Sequence, residues 1–369
     1  MERTPHSRLN AAKKARVRRS EPKKPRTRRG DGIDELPFSS EYHTPVLCNE
    51  TVDLLVWDSD GVYVDGTMGG GGHSAAILSR LTAGGRLIGI DQDPAAIEFS
   101  SQRLSDDVES GRFLPVQGNF GDLPAILDSD NVRHFLRSHS DAGPPPLISG
   151  LLLDLGVSSH QLDDGDRGFS WGREGLLDMR MDRRGAGETE PSDESGLSAW
   201  HIVNEWSEGL IEDVIRDFGE DPRAAKIASR IVQHRQQHGP IESTSDLTSV
   251  VLRCCSPVPA DQKKTLSRVF QGLRIAVNRE LRVLEDVLMA AAALMRPRGR
   301  LAVLAYHSLE DRRVKRVMRT GALDADDDAA GVAESPWKPL TKAIKASEQE
   351  ISLNPRARSV RLRVAERRH

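Results

Sequence analysis

The sequence predicts an α/β protein built on a doubly wound, mostly parallel sheet that is interrupted by a helical insertion. Up to residue 157, short runs that are apolar on both faces alternate with helical segments, as expected for buried parallel strands. The strand segments are GVYVDGT, GRLIGID, RFLPVQGNF and LISGLLLDLGV. The segments SAAILSRL and PAAIEFSSQRL between them have the apolar spacing of helices. Sheets of this kind bind ligands at the carboxyl ends of their strands.

The second half of the chain divides the predicted sheet. Strand signals stop at Ser158 and resume after Ser267, so residues 158–267 are predicted to be a helical insertion between residues 37–157 and 268–369 of the sheet domain. One long helix, RVFQGLRIAVNRELRVLEDVLMAAAALM, should stop at Pro297 and Gly299 and lead into the strand RLAVLAYHS. The alternating segment SVRLRVAER is predicted as the last strand, and the acidic stretch near 321–335 as a flexible loop.

Length and composition indicate a soluble globular protein of one large or two medium domains. The 369 residues are 37% hydrophobic, and no apolar run reaches the length of a membrane span. The three cysteines, Cys48, Cys254 and Cys255, have neither a disulfide pattern nor the spacing of metal ligands. We therefore expect a reducing, cytoplasmic compartment and no metal.

Charge is distributed very unevenly along the chain. Residues 1–30 contain twelve Lys and Arg against two Glu, a net charge of +10, within a total of −3 for the whole chain. Residues 1–36 lack apolar periodicity, so we predict a disordered basic arm. Such an arm can lie along a phosphate backbone. It can equally be a solubilising extension without a partner, and a cleaved presequence is a third, weaker alternative.

A glycine-rich turn follows the first strand in GTMGGGGHSAA. Gly70, Gly72 and Ala75 match the G-x-G-x-x-G/A spacing of nucleotide-binding turns, which alone is a weak signal. Asp65 ends the strand just before this turn, where a carboxylate repels pyrophosphate and suits the amino group of S-adenosylmethionine. Asp65 therefore favours S-adenosylmethionine over a dinucleotide, unless it only caps the turn.

Three further residues have positions suited to the same ligand. Asp91 ends the second strand about twenty residues after the glycines, as an acceptor for ribose hydroxyls does, although it could also cap the helix that opens at Pro94. Asn119 and Phe120 follow the third strand and could bound an adenine with an amide and an aromatic face. The alternative for Phe120 is ordinary core packing.

Six longer strings carry a family resemblance. They are DGTMGGGGHS, DLGVSSHQLDDGDRGFSW, LDMRMD, FQGLRIAVNREL, YHSLEDRRVKR and NPRARSVRLRVAER. With them, the chain from Tyr42 onward resembles the bacterial 16S rRNA cytosine-N4 methyltransferases of the RsmH (MraW) family. Residues 1–36 and the acidic loop near Asp324 lie outside the resemblance. The family lacks the Asn/Asp-Pro-Pro-aromatic motif of many amino-methyltransferases, and this chain has DLGV in its place.

The resemblance implies a fold, a reaction and a set of site residues. The fold is a Rossmann-like class I methyltransferase domain, and the reaction is S-adenosylmethionine-dependent methylation of the N4 amine of a decoding-centre cytidine in the small ribosomal subunit. The insertion is implied to recognise RNA. The implied cofactor residues are Gly71, Gly72 and His73 at the turn, Asp91 at the ribose, Phe120 at the adenine, and Asp154 with Gln161. Met68 and Gly70 depart from the residues usual in the family's turn.

The chemistry requires an acceptor for the amine hydrogens. A cytosine N4 amine is a poor nucleophile because its lone pair is delocalised into the ring, and a hydrogen-bonded carboxylate can localise that pair. Asp154, at the tip of a strand beside the cofactor turn, is the candidate acceptor. His307 could take up the released proton, or be a structural histidine. Ser308 and Asp311 also have the spacing of a helix cap and third helical residue.

Aromatic and basic residues of the second half are candidate RNA contacts. Phe169 and Trp171 could stack on a flipped base, or simply pack the insertion on the main domain. Arg223, Lys226 and Arg230 fall at i, i+3 and i+7 and could follow phosphates, although a helix face that is only solvated has the same spacing. Further basic or polar candidates are Arg180, Arg183, Arg184, Asn354, Arg356 and Arg358.

Two other functions fit parts of the sequence. The formal glycine match allows a nicotinamide-dependent oxidoreductase, against which Asp65 and the lack of a second catalytic domain argue. An RNA-binding or assembly protein without activity is the other, although an intact glycine turn, Asp91 and Asp154 oppose it. The sequence leaves monomer and homodimer equally open.

Overall fold

The computed structural model describes Phe38 and residues 45–136, 147–182, 196–324 and 335–368. The seven strands are β1 Val62–Asp65, β2 Arg86–Asp91, β3 Phe113–Gln117, β4 Ile148–Asp154, β5 Met295–Ala305, β6 Trp337–Pro339 and β7 Arg361–Arg367. The helices before the insertion are α1 Cys48–Leu55, α2 Gly72–Leu78, α3 Pro94–Arg103, α4 Ser105–Glu109, α5 Leu123–Asp128 and α6 Asp130–Leu136. The later ones are α7 Ser159–Asp163, α8 Ala199–Glu205, α9 Glu208–Asp213, α10 Ala224–His238, α11 Thr244–Leu252, α12 Pro259–Asn278, α13 Glu280–Leu294, α14 Ser308–Thr320 and α15 Glu348–Leu353.

The strands form one sheet in the order β3-β2-β1-β4-β5-β7-β6. Strands β1 to β5 are parallel, and β7 pairs antiparallel with both β5 and β6. The order reverses between β1 and β4, which is the switch point where doubly wound sheets bind their ligands. The predicted fold class is confirmed as α/β with a doubly wound, mostly parallel sheet. Among the described residues, no helix is long and apolar enough to cross a membrane.

Both faces of the sheet are buried, as the doubly apolar strands predict. Along β1, Val62 and Val64 pack into the cluster on one face and Tyr63 into the cluster on the other. Helices α5, α6, α13 and α14 cover the first face, and α1 and α2 the second. The pairing of neighbouring strands and the packing on both faces hold the carboxyl ends of the strands in place.

A separate hydrophobic cluster lies in the residues between β4 and β5. It begins at Phe169 and continues through α8 to α12 as far as Leu273. Helix α12 therefore runs through the predicted boundary at residue 267, and its last turns contribute to the wall of the cavity described below. The insertion boundaries 158 and 267 stay a prediction.

Two expectations about this region were wrong. The single helix predicted from Arg268 to Met295 is two helices, because Arg279 takes a left-handed conformation (φ 49°) between α12 and α13. Strand β5 starts at Met295, upstream of Pro297 and Gly299, with a register shift against β4. The predicted basic arm, Arg183, Arg184 and most of the acidic loop lie outside the described residues.

Candidate active site

A cavity of about 400 Å³ lies at the carboxyl edge of the sheet. Most of its lining falls into two groups. The sheet-edge wall consists of residues that follow strand ends, namely Gly66 to Gly69, Asp91, Gln92, Phe120, Asp154 to Ser158, Tyr306 and His307. The insertion wall consists of Phe169, Trp171, Met181 and the residues Ser267, Phe270, Gln271, Arg274 and Asn278 of α12.

The glycine turn needs glycine for two reasons, close packing at one position and left-handed backbone at others. A Cβ on Gly66 would lie 2.7 Å from Leu153 Cδ2, and Gly69 has a φ of +49°. Gly71 (φ +71°) is the N-cap residue of α2 and does not line the cavity, whereas Gly72 and His73 do. The structure thus assigns Gly71 the role of shaping the turn.

Asp91 fixes the turn from the end of β2. Its Oδ2 accepts a hydrogen bond from Gly69 N at 2.8 Å, and its Oδ1 accepts one from Asp93 N at 2.9 Å. Burial raises the pKa of this carboxyl to about 6, against the lowering effect of these backbone donors. Asp91 does not cap the following helix, because Asp93 is the N-cap residue of α3 and accepts from Ala95 N.

Asp65 does not face the cavity, contrary to its predicted contact with the cofactor. Its carboxylate is fully buried. It accepts hydrogen bonds from Ser74 Oγ at 2.7 Å and from Thr67 N at 3.2 Å. The carboxylate is therefore used to hold α2 on the strand end, which is the turn-capping alternative. Burial raises its pKa to about 6.

The two residues predicted around the adenine are placed differently. Phe120 is half-buried, lines the cavity and also packs on the core beside the sheet. Asn119 is not among the lining residues, because its amide accepts from Gly121 N at 2.9 Å and donates to Gln92 Oε1 at 3.1 Å. Gln161 lines the cavity, and its Nε2 donates to Asp93 Oδ2 at 3.2 Å.

Asp154 stands at the end of β4 between two ring side chains. Tyr306 Oη donates to Asp154 Oδ1 at 2.8 Å, and His73 Nδ1 lies 3.5 Å from Asp154 Oδ2. The backbone is fixed as well, since Asp154 N donates to Thr67 Oγ1 at 2.6 Å. Burial raises the pKa of Asp154 to about 7, while the hydrogen bond from Tyr306 lowers it. The carboxyl therefore changes protonation near neutral pH.

His307 follows β5 and is nearly buried beside a carboxylate. Its Nε2 lies 3.0 Å from Glu310 Oε1, and the other oxygen of Glu310 accepts from Tyr306 N at 2.7 Å and from His307 N at 3.2 Å. His307, not Ser308, is the N-cap residue of α14, and Ser308 donates to Glu220 of the insertion. The predicted capping pattern was thus one residue too late. Asp311 instead pairs with Arg361 and Arg363 of β7.

The predicted aromatic contacts line the cavity and also pack the insertion. Phe169 is 5% exposed and belongs to the hydrophobic cluster between β4 and β5. Trp171 is half-buried and packs against the same cluster, and both rings line the cavity. The guanidinium of Arg167 lies 5.7 Å from the Phe169 ring centroid and pairs with Asp93 at 2.7 Å. Both predicted roles are therefore compatible with this placement.

The predicted basic stripe is not part of the cavity wall. Arg223 precedes α10, and its guanidinium donates to Asp261 at 2.7 and 3.0 Å. Lys226 donates to Cys254 O at 3.3 Å, and Arg230 to Gln233 Oε1 at 3.0 Å. The phosphate contacts of these three residues stay a prediction, and the Arg223 guanidinium is already paired with an acid.

The other basic candidates divide between the cavity rim and local pairs. Arg356 lines the cavity, and its guanidinium lies 3.4 Å from the exposed carboxylate of Asp163. Arg180 pairs with Asp178 at 2.6 Å. Asn354 caps the short helix that follows it, and Arg358 is exposed.

Comparison of the sequence with known proteins identifies its family. A model of the MraW methylase family matches residues 40–368. The chain belongs to the MraW methylase family. Three similar proteins are each named ribosomal RNA small subunit methyltransferase H. They come from Chlorobium limicola (45% identity, 88% of this chain, 98% of that one), Bacteroides fragilis (41%, 89% and 98%) and Heliobacterium modesticaldum (41%, 88% and 98%). Among solved structures, an rRNA methylase from Streptococcus thermophilus gives a TM-score of 0.35 at 12% identity, covering 87% of this chain and 94% of that one.

Within this methylase fold, several polar cavity residues had no predicted role. Arg274, Glu280, Tyr306 and Glu310 lie in the strings FQGLRIAVNREL and YHSLEDRRVKR that carried the resemblance. The guanidinium of Arg274 binds both oxygens of Glu280, at 2.8 and 3.0 Å. Oxygen and nitrogen atoms of Glu280, His307 and Glu310 lie within 4.8 Å of one another. Arg274 already supplies the positive charge that a metal ion would bring to this cluster.

Proposed function

We propose that this protein transfers a methyl group from S-adenosylmethionine directly to the N4 amine of a decoding-centre cytidine in 16S rRNA. One observation carries the proposal: the Asp154 carboxylate lies in a cavity bounded by the glycine turn and by aromatic residues of the insertion. Membership of the methylase family supports the reaction, and the names of the relatives support a small-subunit rRNA substrate. The small ribosomal subunit is accordingly the proposed partner.

The sheet-edge wall has the groups that S-adenosylmethionine requires. The volume of about 400 Å³ is within the usual range for small-molecule sites. Asp91 is the proposed acceptor for the ribose hydroxyls and Phe120 the face for the adenine, with Gln161, Gly72 and His73 completing the site. Asp154 adds negative charge near a cationic ligand. When bound, S-adenosylmethionine supplies an electrophilic methyl group on its sulfonium sulfur.

The protein's own contribution to the reaction is to orient and activate the amine. The Asp154 carboxylate accepts a hydrogen bond from the N4 amine, which localises the lone pair on nitrogen. The nitrogen forms its bond to the methyl carbon as the carbon–sulfur bond breaks, with that electron pair remaining on sulfur. One N4 proton then passes to Asp154, whose pKa of about 7 suits a base at neutral pH. His307 is the proposed secondary proton acceptor. It lies beside the Glu310 side chain, which is more than 90% buried.

The insertion wall suits a base that has left its stack. Phe169 and Trp171 supply aromatic surface to the cavity, and flipped bases stack on such rings in enzymes that modify nucleic acids. Arg356 at the cavity lining is the proposed contact to a neighbouring phosphate, and Lys226 and Arg230 are proposed to follow the RNA further away.

The test is methyl transfer from radiolabelled S-adenosylmethionine to undermethylated small subunits and, separately, to naked 16S rRNA. Mass spectrometry of the product should place the label on the N4 amine of one cytidine. Asp154→Asn should abolish transfer while the folded state is retained. Asp53→Asn, a change at an exposed acid of α1 that pairs with Arg80 and does not line the cavity, is the matched control and should transfer normally. Label on a ring carbon, or absence of label from rRNA, would refute the proposal.

A further inference from the structure

We propose that Tyr306 is a positioning residue for methyl transfer, whose hydroxyl holds the Asp154 carboxylate oriented and ionised for the target amine. This inference rests on the proposed function and adds a second residue to it. Tyr306 directly follows β5, and β5 pairs with β4 so that Leu304 is the partner of Asp154. The register of two neighbouring strands therefore places the ring beside the carboxylate.

The tyrosine ring is held from both ends. Its backbone N–H donates to Glu310 Oε2 at 2.7 Å, and its hydroxyl donates to Asp154 Oδ1 at 2.8 Å. The ring packs against the hydrophobic cluster on the α1 and α2 side of the sheet and lines the cavity. Burial raises the pKa of Tyr306 well above its ordinary value, so the hydroxyl keeps its proton and acts as a donor throughout the working pH range.

The carboxylate needs such a donor because of its surroundings. On the turn side it faces His73 and the buried acid Asp65, and on the α14 side Glu310. The half-buried thiol of Cys48 on α1 also interacts with it electrostatically. Burial and the negative charge of Glu310 both favour the protonated acid, whereas a hydrogen bond to the ionised form favours the carboxylate.

His73 contacts the second oxygen without supplying a proton to it. Its Nε2 lies 3.0 Å from the carbonyl oxygen of Val46, which can only accept, so Nε2 carries the ring proton. Burial lowers the pKa of His73, and the ring is therefore neutral with a bare Nδ1 at 3.5 Å from Asp154 Oδ2. A lone pair at that position does not stabilise a carboxylate. The Tyr306 hydroxyl, by contrast, donates to the carboxylate and stabilises it.

The main experiment compares Tyr306→Phe with Tyr63→Phe. Tyr63 is the matched control, because it is also a buried tyrosine whose hydroxyl donates to a neighbour, Asp58 O, but it lies outside the cavity lining. We expect Tyr306→Phe to move the acidic limb of the kcat/KM profile upward by about one pH unit, and so to lower the rate about tenfold below that limb. The deficit should shrink at alkaline pH, and the Kd for S-adenosylmethionine should stay nearly unchanged.

Two further measurements make the outcomes decisive. Titration of the Asp154 carboxyl by carbon-13 NMR, assigned with Asp154→Asn, should show the same upward shift in Tyr306→Phe without any substrate present. Should the variant fail to fold, fluorotyrosine incorporated at the chain's three tyrosines gives a more acidic, stronger donor, and the midpoint should move downward instead. An unchanged midpoint, or a rate loss that is equal at every pH, would overturn the role of Tyr306 while the wild type still methylates rRNA. A wild type that transfers no methyl group to rRNA overturns the proposed function itself.

Discussion

The two walls of the cavity are built on different principles. The sheet-edge wall is formed by residues at strand ends whose backbone is held in place: Asp91 fixes the Gly69 N–H, and the strand tip at Asp154 is tied to Thr67. The insertion wall is formed by residues from the segment at Phe169 and from α12, two regions about 100 residues apart. A wall fixed by the sheet suits a constant ligand, whereas a wall assembled from distant segments can be fitted to one particular substrate.

Buried polar contacts hold the two walls together. One of them is the pair of Arg167 on the insertion side and Asp93 before α3, with 7% and 3% of the side chains exposed. Gln161 Nε2 adds a second hydrogen bond to the same carboxylate, at 3.2 Å from Asp93 Oδ2. The largest loss of stability is therefore expected where these ties are cut, not within either wall.

Arg167→Ala should produce that loss. It leaves the Asp93 carboxylate buried without its cation, which costs about 3 to 5 kcal/mol of unfolding free energy. Arg173→Ala is the control, because its pair with Asp163 is more than half exposed and should cost about 0 to 1 kcal/mol. Urea unfolding measures both. Equal effects of the two substitutions would contradict the view that one buried pair joins the walls.

Gly66→Ala tests the sheet-edge wall alone. The new Cβ would lie 2.7 Å from Leu153 Cδ2 and 3.2 Å from Phe120 Cβ, and overpacking of this kind costs about 1 to 3 kcal/mol. Because Phe120 must shift, the affinity for S-adenosylmethionine should fall at least about tenfold, by the 1.4 kcal/mol that corresponds to such a factor. Calorimetric titration measures this affinity. Gly209→Ala, where the Cβ meets open space, should leave it unchanged.

The acids of the sheet-edge wall should make stability depend on pH. Burial raises the pKa of Asp154 to about 7 in the folded protein, from an ordinary 3.8. Between these two values the folded state binds more protons than the unfolded state, so this group's contribution to stability falls as pH rises from about 4 to 7. Asp154→Asn should therefore be more stable relative to wild type at pH 8 than at pH 4.5.

Asp261→Asn provides the contrasting case on the insertion side. The hydrogen bond from Arg223 lowers the pKa of Asp261 to about 2. Its stabilising effect is lost only as pH falls below about 4, so this variant should keep a constant difference from wild type between pH 5 and 8. Urea unfolding across this pH range measures both stability differences, the changing one of Asp154→Asn and the constant one of Asp261→Asn. If the stability difference between Asp154→Asn and wild type does not change with pH, the Asp154 carboxyl of the wild type has the same pKa in the folded and the unfolded chain.

The same contrast explains what the sequence could predict. The sheet-edge wall follows from local patterns, because doubly apolar strands and the glycine turn determine which backbone reaches the carboxyl edge. The break at Arg279 was missed, since the apolar spacing continues through it and only the left-handed φ shows the interruption. The ion pair of Arg223 could not be predicted, because its partner, Asp261, is 38 residues away in the sequence. Asp65 was read as facing the ligand because strand periodicity does not tell which way a terminal carboxylate turns.

The smallest expected effect concerns the cavity lining on the substrate side. Arg356→Ala should weaken binding of small-subunit rRNA only a few-fold and reduce the slope of log affinity against log salt by about 1, the amount expected for one phosphate contact. Its existing pair with Asp163 is long and exposed, so a phosphate can replace it with little loss. Arg282→Ala, at an exposed site on α13 outside the cavity lining, should leave the slope unchanged. Filter binding over a salt series measures both, and a lower slope for Arg282→Ala instead would move the RNA path from this lining to the outer face of α13.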